Sequence, residues 1–472
     1  MPIESKSIDY VQEHERHGRV IDQAPFWFLG NFHFFTIAIG FVGPSMGLGF
    51  ADTSVAGALG ILFGTLFVAF HASQGPELGL PQMIQSRAQF GFRGVSLVLI
   101  GTLFTFVGFN VADTVLASRG LHGMLGWNEV GVTIGAAVAA AVLAIYGHDW
   151  LHRIFRWCFY LCMPLYTLLT LAIMFGKVPA HHAVAGSFTW VAFIAQFAAS
   201  ASYNITYAPS VSDYSRYLPR RTAPGAIIAA VYIGASSAAI WMIALGAWLA
   251  TRLGASDGLV ALHAAGDAVI PGFGVLMALA SVTALVATMG LNAYSGMLTV
   301  VTAISSLGGN PHPPVALRHA AIVALAIIWI VLSLAISTSA IALLFAVLTI
   351  MLYLLVPWTS VNLVDYFFVR HGHYAITHLF MPDGMYGKWG VRGLTAYVVG
   401  FAATLPFFVL PDFYMGPMAR ALGGIDVGWL VGLLVAGGVY WALSRTLDVS
   451  HERVAIADSE KTLRELAATP SP

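Results

Sequence analysis

Eleven long stretches of this chain contain no Asp, Glu, Lys or Arg: Gln23–Ala51, Thr53–Pro76, Gly94–Ala112, Val130–His148, Trp157–Gly176, Val178–Ser212, Thr222–Thr251, Ala268–Leu317, His319–Val364, Gly393–Pro411 and Val427–Ser444. A helix crossing about 30 Å of hydrocarbon needs roughly 20 apolar residues. The ninth stretch would be about 69 Å long as one helix, so it folds back, with Ser337-Thr338-Ser339 the expected turn. In the eighth, Gly308-Gly309-Asn310-Pro311-His312-Pro313-Pro314 ends the helix early. Twelve spans result. Only 9% of the 472 residues are charged and 58% are hydrophobic, against about 25% charged in soluble domains. A soluble domain of this length still needs a wetted polar surface. That excludes a soluble enzyme, a nucleic-acid binder and a disordered chain. The predicted fold class is an all-α polytopic membrane protein.

Charge sets the orientation. With twelve spans, 18 of the 22 Lys and Arg residues fall on the side of the termini, and only Arg119, Lys177, Arg252 and Arg420 fall opposite. The positive-inside rule then places both ends in the cytoplasm and the spans in the plasma (inner) membrane. The expected layout is a tail over 1–24, a transmembrane domain over 25–446, and a second tail over 447–472 that forms a short solvated helix. The first 25 residues have no apolar core, so no signal peptide is expected. Cys158 and Cys162 share one helical face and read as packing residues.

Two segments carry matching interruptions. Gly40-Phe41-Val42-Gly43-Pro44-Ser45 in the first and Asn204-Ile205-Thr206-Tyr207-Ala208-Pro209-Ser210 in the sixth both present a small residue before Pro-Ser. Pro inside a helix removes a hydrogen bond and clashes with the preceding turn. Breaks five helices apart, at Gly40, Gly43 and Pro44 and again at Pro209, predict a five-plus-five inverted repeat over about 25–176 and 187–364. Two extra helices follow over about 391–446. Isolated kinks are the plainer explanation of the same pattern.

Polar groups inside spans cost about 2.5–3.5 kcal/mol for a charge at mid-helix, so each needs a reason. Phe106, Phe109, Asn110 and Asp113 share one face of the third span, which suits a ligand-lined cavity. An Asp wetted near its helix end is the alternative for Asp113. His33 and His71 read first as packed, hydrogen-bonded histidines and second as proton carriers. The eighth span is unusually polar, with Ser281, Thr283, Thr288, Asn292, Tyr294 and Ser295. A Ser or Thr can bond its own helix backbone, whereas Asn292 needs a partner. HExxH is absent, and His371, His373 and His378 read as a surface loop, so no metal or cofactor is expected.

The loop Gly75-Pro76-Glu77-Leu78-Gly79-Leu80-Pro81-Gln82-Met83-Ile84-Gln85-Ser86-Arg87-Ala88-Gln89-Phe90-Gly91 resembles the segment 2–3 loop of the nucleobase:cation symporter-1 family, purine–cytosine permease branch. Asp213-Tyr214-Ser215-Arg216-Tyr217-Leu218-Pro219 resembles its DYxRYLP signature, and Asn292-Ala293-Tyr294-Ser295 is similar to its NxYS stretch. The resemblance runs from about Pro25 to Arg445. It implies a LeuT-like alternating-access symporter that carries a nucleobase inward with a proton or sodium. By position it implies that Phe109 stacks on substrate, that Tyr207, with Tyr203 and Asn204 nearby, forms the sixth-helix wall, and that Asn292 bonds the base edge. Thr36 is a looser candidate. The sodium-type hydroxyl pair reads Val286-Ala287-Thr288 here, so a proton is preferred, with Asp113 or His33 as carrier and Ser281, Thr283 or Thr288 as substitute ion ligands.

Stacking and an amide suit a planar heterocycle: stacking contributes about 1–3 kcal/mol per base, and an amide pairs bidentately with a base edge. The expected partners are therefore a nucleobase (cytosine or a purine), a coupling cation and the bilayer. Allantoin, a hydantoin or a vitamin-precursor pyrimidine is the alternative cargo. A membrane-embedded enzyme or a channel is the remote one.

Overall fold

A computed structural model describes residues 8–180, 186–308, 314–336, 340–410 and 413–468. They are helical almost throughout, with one two-residue antiparallel pairing, Val409–Leu410 with Tyr414–Met415. The first span is α1 (Gln23–Leu29), α2 (Phe34–Ile39) and α3 (Val42–Ser45), followed by α4 (Phe50–Ala72). Short helices in the resembling loop lead to α5 (Val95–Leu125), α6 (Glu129–Tyr146) and α7 (His148–Met174). The sixth span is α8 (Trp190–Ile205) and α9 (Ala208–Ser215), followed by α10 (Pro224–Leu253), α11 (Gly258–Val269) and α12 (Phe273–Gly308). The remaining long helices are α13 (Val315–Ala335), α14 (Ala340–Val364), α15 (Val391–Thr404), α16 (Gly428–Ser444) and α17 (Glu452–Ala468).

Among the described residues, eight helices are long and apolar enough to cross a membrane, or nine with the bent first span. The other three expected spans coincide with the broken pair α8–α9 and with α15 and α16, which are shorter than that length. The expected turn at Ser337–Ser339 lies outside the described residues, as does most of the Gly308–Pro314 turn.

Small residues let the helices touch, as apolar helices in lipid require. The second span α4 packs most extensively on α8 and α10, and α5 packs on α12. A Cβ on Gly40 would collide with the Ile243 carbonyl oxygen, and one on Gly246 with that of Ile37. Gly60 and Gly64 are pressed in the same way against Phe197 and Ala201 of α8.

The first span is interrupted at more than the expected place. It bends by 58° between Leu29 and Phe34, and is interrupted again at Gly40-Phe41, between α2 and α3. Gly40 is the close-packing residue, and the Gly43 N–H donates to Gln196 Oε1 at 2.8 Å. Pro44 lies in the four-residue helix α3, where its missing N–H is one of those left free at a helix start. Pro209 fulfils its expected role, because α8 stops at Ile205 and α9 restarts at Ala208 with the proline in its first turn.

The face carrying both chain ends is tied together. Arg220 bonds Glu77 at 2.7 Å and Glu460 of α17 at 3.4 Å, while its N–H donates to Glu13. The C-terminal helix forms as expected but is docked rather than merely solvated. Arg370 makes two 2.9 Å bonds to the Glu452 carboxylate and one of 2.6 Å to Asp365. All three residues are buried, and a buried guanidinium requires such partners.

Candidate functional site

The two helix breaks meet. In the first span Gly30 and Asn31 leave the helix, and His33 is fully extended at φ −149° and ψ 171°. The Gly30 carbonyl therefore loses the amide that a continuous helix would give it. It accepts instead from the Tyr207 hydroxyl at 2.6 Å and the Tyr203 hydroxyl at 3.3 Å, with His33 Nε2 at 3.1 Å. Tyr207 occupies the break of the sixth span, and Tyr203 lies one turn earlier. Thr36 Oγ1 closes the cluster 2.8 Å from the Tyr203 hydroxyl.

Aromatic rings surround this polar hub. Phe109 of α5 lies nearly parallel to Tyr207, at 12° and 6.3 Å between centroids. Phe35 stands 5.4 Å from Phe109 and 5.5 Å from Tyr203, and Trp27 stands 5.6 Å from Tyr207. Every one of these side chains is buried, so the cluster is closed to both faces.

On the α12 side two amides meet. Asn292 Nδ2 donates to Asn110 Oδ1 at 3.2 Å, and Asn110 Nδ2 donates to the Met289 carbonyl at 3.2 Å. The partner that Asn292 requires is therefore Asn110, the residue beside Phe109. Asp113 follows Phe109 by one turn and is buried, and its Oδ1 has no hydrogen-bond partner. Leaving such an atom unmet costs about 1–3 kcal/mol, more for a charge.

Other candidates lie elsewhere. Asn204 points Nδ2 to Thr65 of α4 at 2.6 Å, away from the ring cluster. Thr283 is exposed and bonds the Leu279 carbonyl, and Thr288 bonds Ala284 of its own helix. Ser281 bonds Met277 and Tyr166. His71 pairs with Thr359 and stacks on Trp358, which is a packing role. His371 and His373 are exposed and His378 Nδ1 accepts from Met385, as a surface loop predicts. Gly30, Phe35 and Trp27 were not singled out as site residues from the sequence, whereas Asn110 was placed on the cavity-lining face of the third span. The Gly30-Asn31 dipeptide, a breaker pair inside an apolar run, is the signal that marks the first.

On the face opposite the chain ends, a cavity of about 730 Å³ opens between α3, α8, α14 and the end of α10. Phe41, Val42, Pro44, Phe345 and Leu352 line it, and Asp426 lies at its rim.

Comparison with known proteins agrees with this architecture. The family described as permeases for cytosine/purines, uracil, thiamine and allantoin matches residues 10–432. YxlA of Bacillus subtilis, provisionally named a purine-cytosine permease, is 33% identical over 94% of this chain and 96% of its own. The Saccharomyces cerevisiae purine-cytosine permease FCY21 is 26% identical over 52% of this chain and 48% of its own. Among solved structures, Mhp1, a nucleobase-cation-symport-1 family transporter in a closed conformation with bromovinylhydantoin bound, superposes with a TM-score of 0.74. That match covers 96% of this chain and 98% of Mhp1 at 17% identity, a likeness of fold. A Na+-coupled sialic acid symporter gives 0.60 over 92% of each chain at 12% identity. The chain is a member of the nucleobase:cation symporter-1 family, a membrane transporter and not an enzyme.

Proposed function

We propose that this chain imports a nucleobase, cytosine or a purine, together with a proton, by alternating access across the plasma membrane with both termini cytoplasmic. The observation that carries the reading is the parallel Phe109–Tyr207 pair beside the Asn110–Asn292 amides, set where two broken helices meet. The rings would hold either face of a planar base, and the amides would pair with its edge once they release each other. The names of YxlA and FCY21 favour a purine or cytosine over the hydantoin bound by Mhp1.

Two observations support the proton. The hydroxyls of Ser281, Thr283 and Thr288 all bond their own helix backbone, which leaves no obvious sodium cage on α12. Asp113 offers a buried carboxyl oxygen that lacks a partner, and a bound proton would remove the cost of its charge. The excess of Lys and Arg on the side of the termini supports the orientation.

Purified protein in liposomes, given labelled cytosine or hypoxanthine under a proton or a sodium gradient separately, tests the reading. Accumulation driven by the proton gradient, abolished by an uncoupler, is expected. Asp113→Asn should lose uphill accumulation while retaining exchange of internal for external base. Accumulation under sodium alone would overturn the proton assignment. Full uptake by Asn292→Ala would overturn the role given to the amides.

A further inference from the structure

Away from the ring cluster, at the face bearing the chain ends, the N-terminal segment meets the start of α7. Ligand atoms of His17, His148 and Asp149 lie within 4.8 Å of one another. His17 Nε2 is 3.4 Å and His148 Nδ1 is 3.0 Å from the same carboxylate oxygen, Asp149 Oδ1. Ligands about 2.0–2.1 Å from a tetrahedral zinc ion are separated by about 3.3–3.4 Å, so these edges are close to those of a coordination polyhedron. His17 Nδ1 is 2.9 Å from the Glu15 carbonyl. Donating its proton there fixes the tautomer, so that Nε2 turns its lone pair toward Asp149, the arrangement that metal-bound histidines adopt.

Two further features favour a cation at this point. His152 follows His148 by one turn, with ring centroids 4.4 Å apart, and its buried Nε2 has no hydrogen-bond partner. All four residues border one cavity of about 260 Å³. Arg19, Arg153 and Arg156 also border it, and their charge opposes a cation, which sets the expected affinity well below that of a structural zinc site.

We infer that His17, His148 and Asp149 form a site for a divalent transition metal of the zinc class, which fastens the N-terminal segment to α7. The backbone N–H groups of His17 and Gly18 both donate to the Tyr217 carbonyl, just after α9. A metal at this site therefore joins the end segment, the fifth span and the inner end of the sixth. Opening of this face would have to break that joint, so bound metal should hold the transporter shut. Only this last consequence rests on the transport reading.

Full-length protein purified without a histidine tag and titrated with Co2+ tests the site, because cobalt bound by nitrogen and oxygen ligands in a tetrahedron absorbs visible light. A saturable band is expected, displaced by Zn2+, and weakened about tenfold or more by His17→Ala. His17 is exposed, so that variant should fold. Absence of the band in the unaltered protein, or an equal band in His17→Ala, overturns the site and leaves a histidine–aspartate ion pair only. Zinc should also slow uptake by the unaltered protein and not by His17→Ala; equal rates with and without zinc overturn the clamp. The cobalt band needs no substrate, so failure of the nucleobase reading would leave the site standing.

Discussion

At the scale of single residues, Phe109 does two things that substitution can separate. It packs in the closed cluster against Phe35 and Tyr203, and it faces Tyr207 in parallel. Phe109→Trp keeps an aromatic face, whereas Phe109→Ala removes it. Losing one stacking face costs about 1–3 kcal/mol, so the alanine variant should bind the base roughly 5- to 150-fold more weakly, with the tryptophan variant close to the unaltered protein. Equal losses in a binding titration would show that Phe109 only packs. The position was legible because a motif resemblance fixed the helix and a turn of periodicity fixed its face. The carbonyl of Gly30, to which both tyrosines bond, was not legible in the same way. A backbone acceptor has no residue type of its own, and only the tertiary meeting of two helices reveals its use. His17 and Asp149 were hidden for another reason, being 132 positions apart.

At the scale of helices, the first span shows how one residue type carries two meanings. Pro44 was read as the break, yet a proline in the first turn of a four-residue helix sacrifices no hydrogen bond. The sharper bend comes from Gly30, Asn31 and an extended His33, with no proline present, and the span is interrupted a second time at Gly40. Gly40, at that second interruption just after α2, is also pressed against α10. Gly40→Ala should therefore behave as overpacking, lowering stability by about 1–3 kcal/mol. Thermal unfolding in detergent should show a lower midpoint, while Gly438→Ala, where a Cβ meets nothing within 4 Å, should show none. A midpoint unchanged in Gly40→Ala would contradict the tight α2–α10 crossing. Charge-free stretches made the helices themselves visible. Their lengths near the break and in the last two spans were less so, because local packing decides where an apolar helix stops.

At the scale of the whole molecule, stability should depend on pH through the rim of the large cavity. Asp426, just ahead of α16, accepts from the Tyr353 hydroxyl and from the Gly428 N–H. Burial raises its carboxyl from 3.8 to about 6. Between these values the folded protein holds a proton that the unfolded chain has released. The associated stability is complete below about pH 4 and is lost as the pH rises through about 6, a change of up to about 3 kcal/mol. Unfolding midpoints measured from pH 4 to 7 should fall in the unaltered protein and fall less in Asp426→Asn. Parallel curves would remove Asp426 from the account.

The joint between Arg370 and Glu452 also has a consequence for how the chain is made. Its members are 82 residues apart in sequence. At roughly 5–20 residues per second, a ribosome takes about 4–16 s to supply the second carboxylate after the arginine has been added. During that interval Asp365 is the one carboxylate of the pair of anions that can already answer the guanidinium. A polypeptide cut short before Glu452 would keep that gap permanently, with every apolar span already synthesised. The joint thus distinguishes finished molecules from unfinished ones.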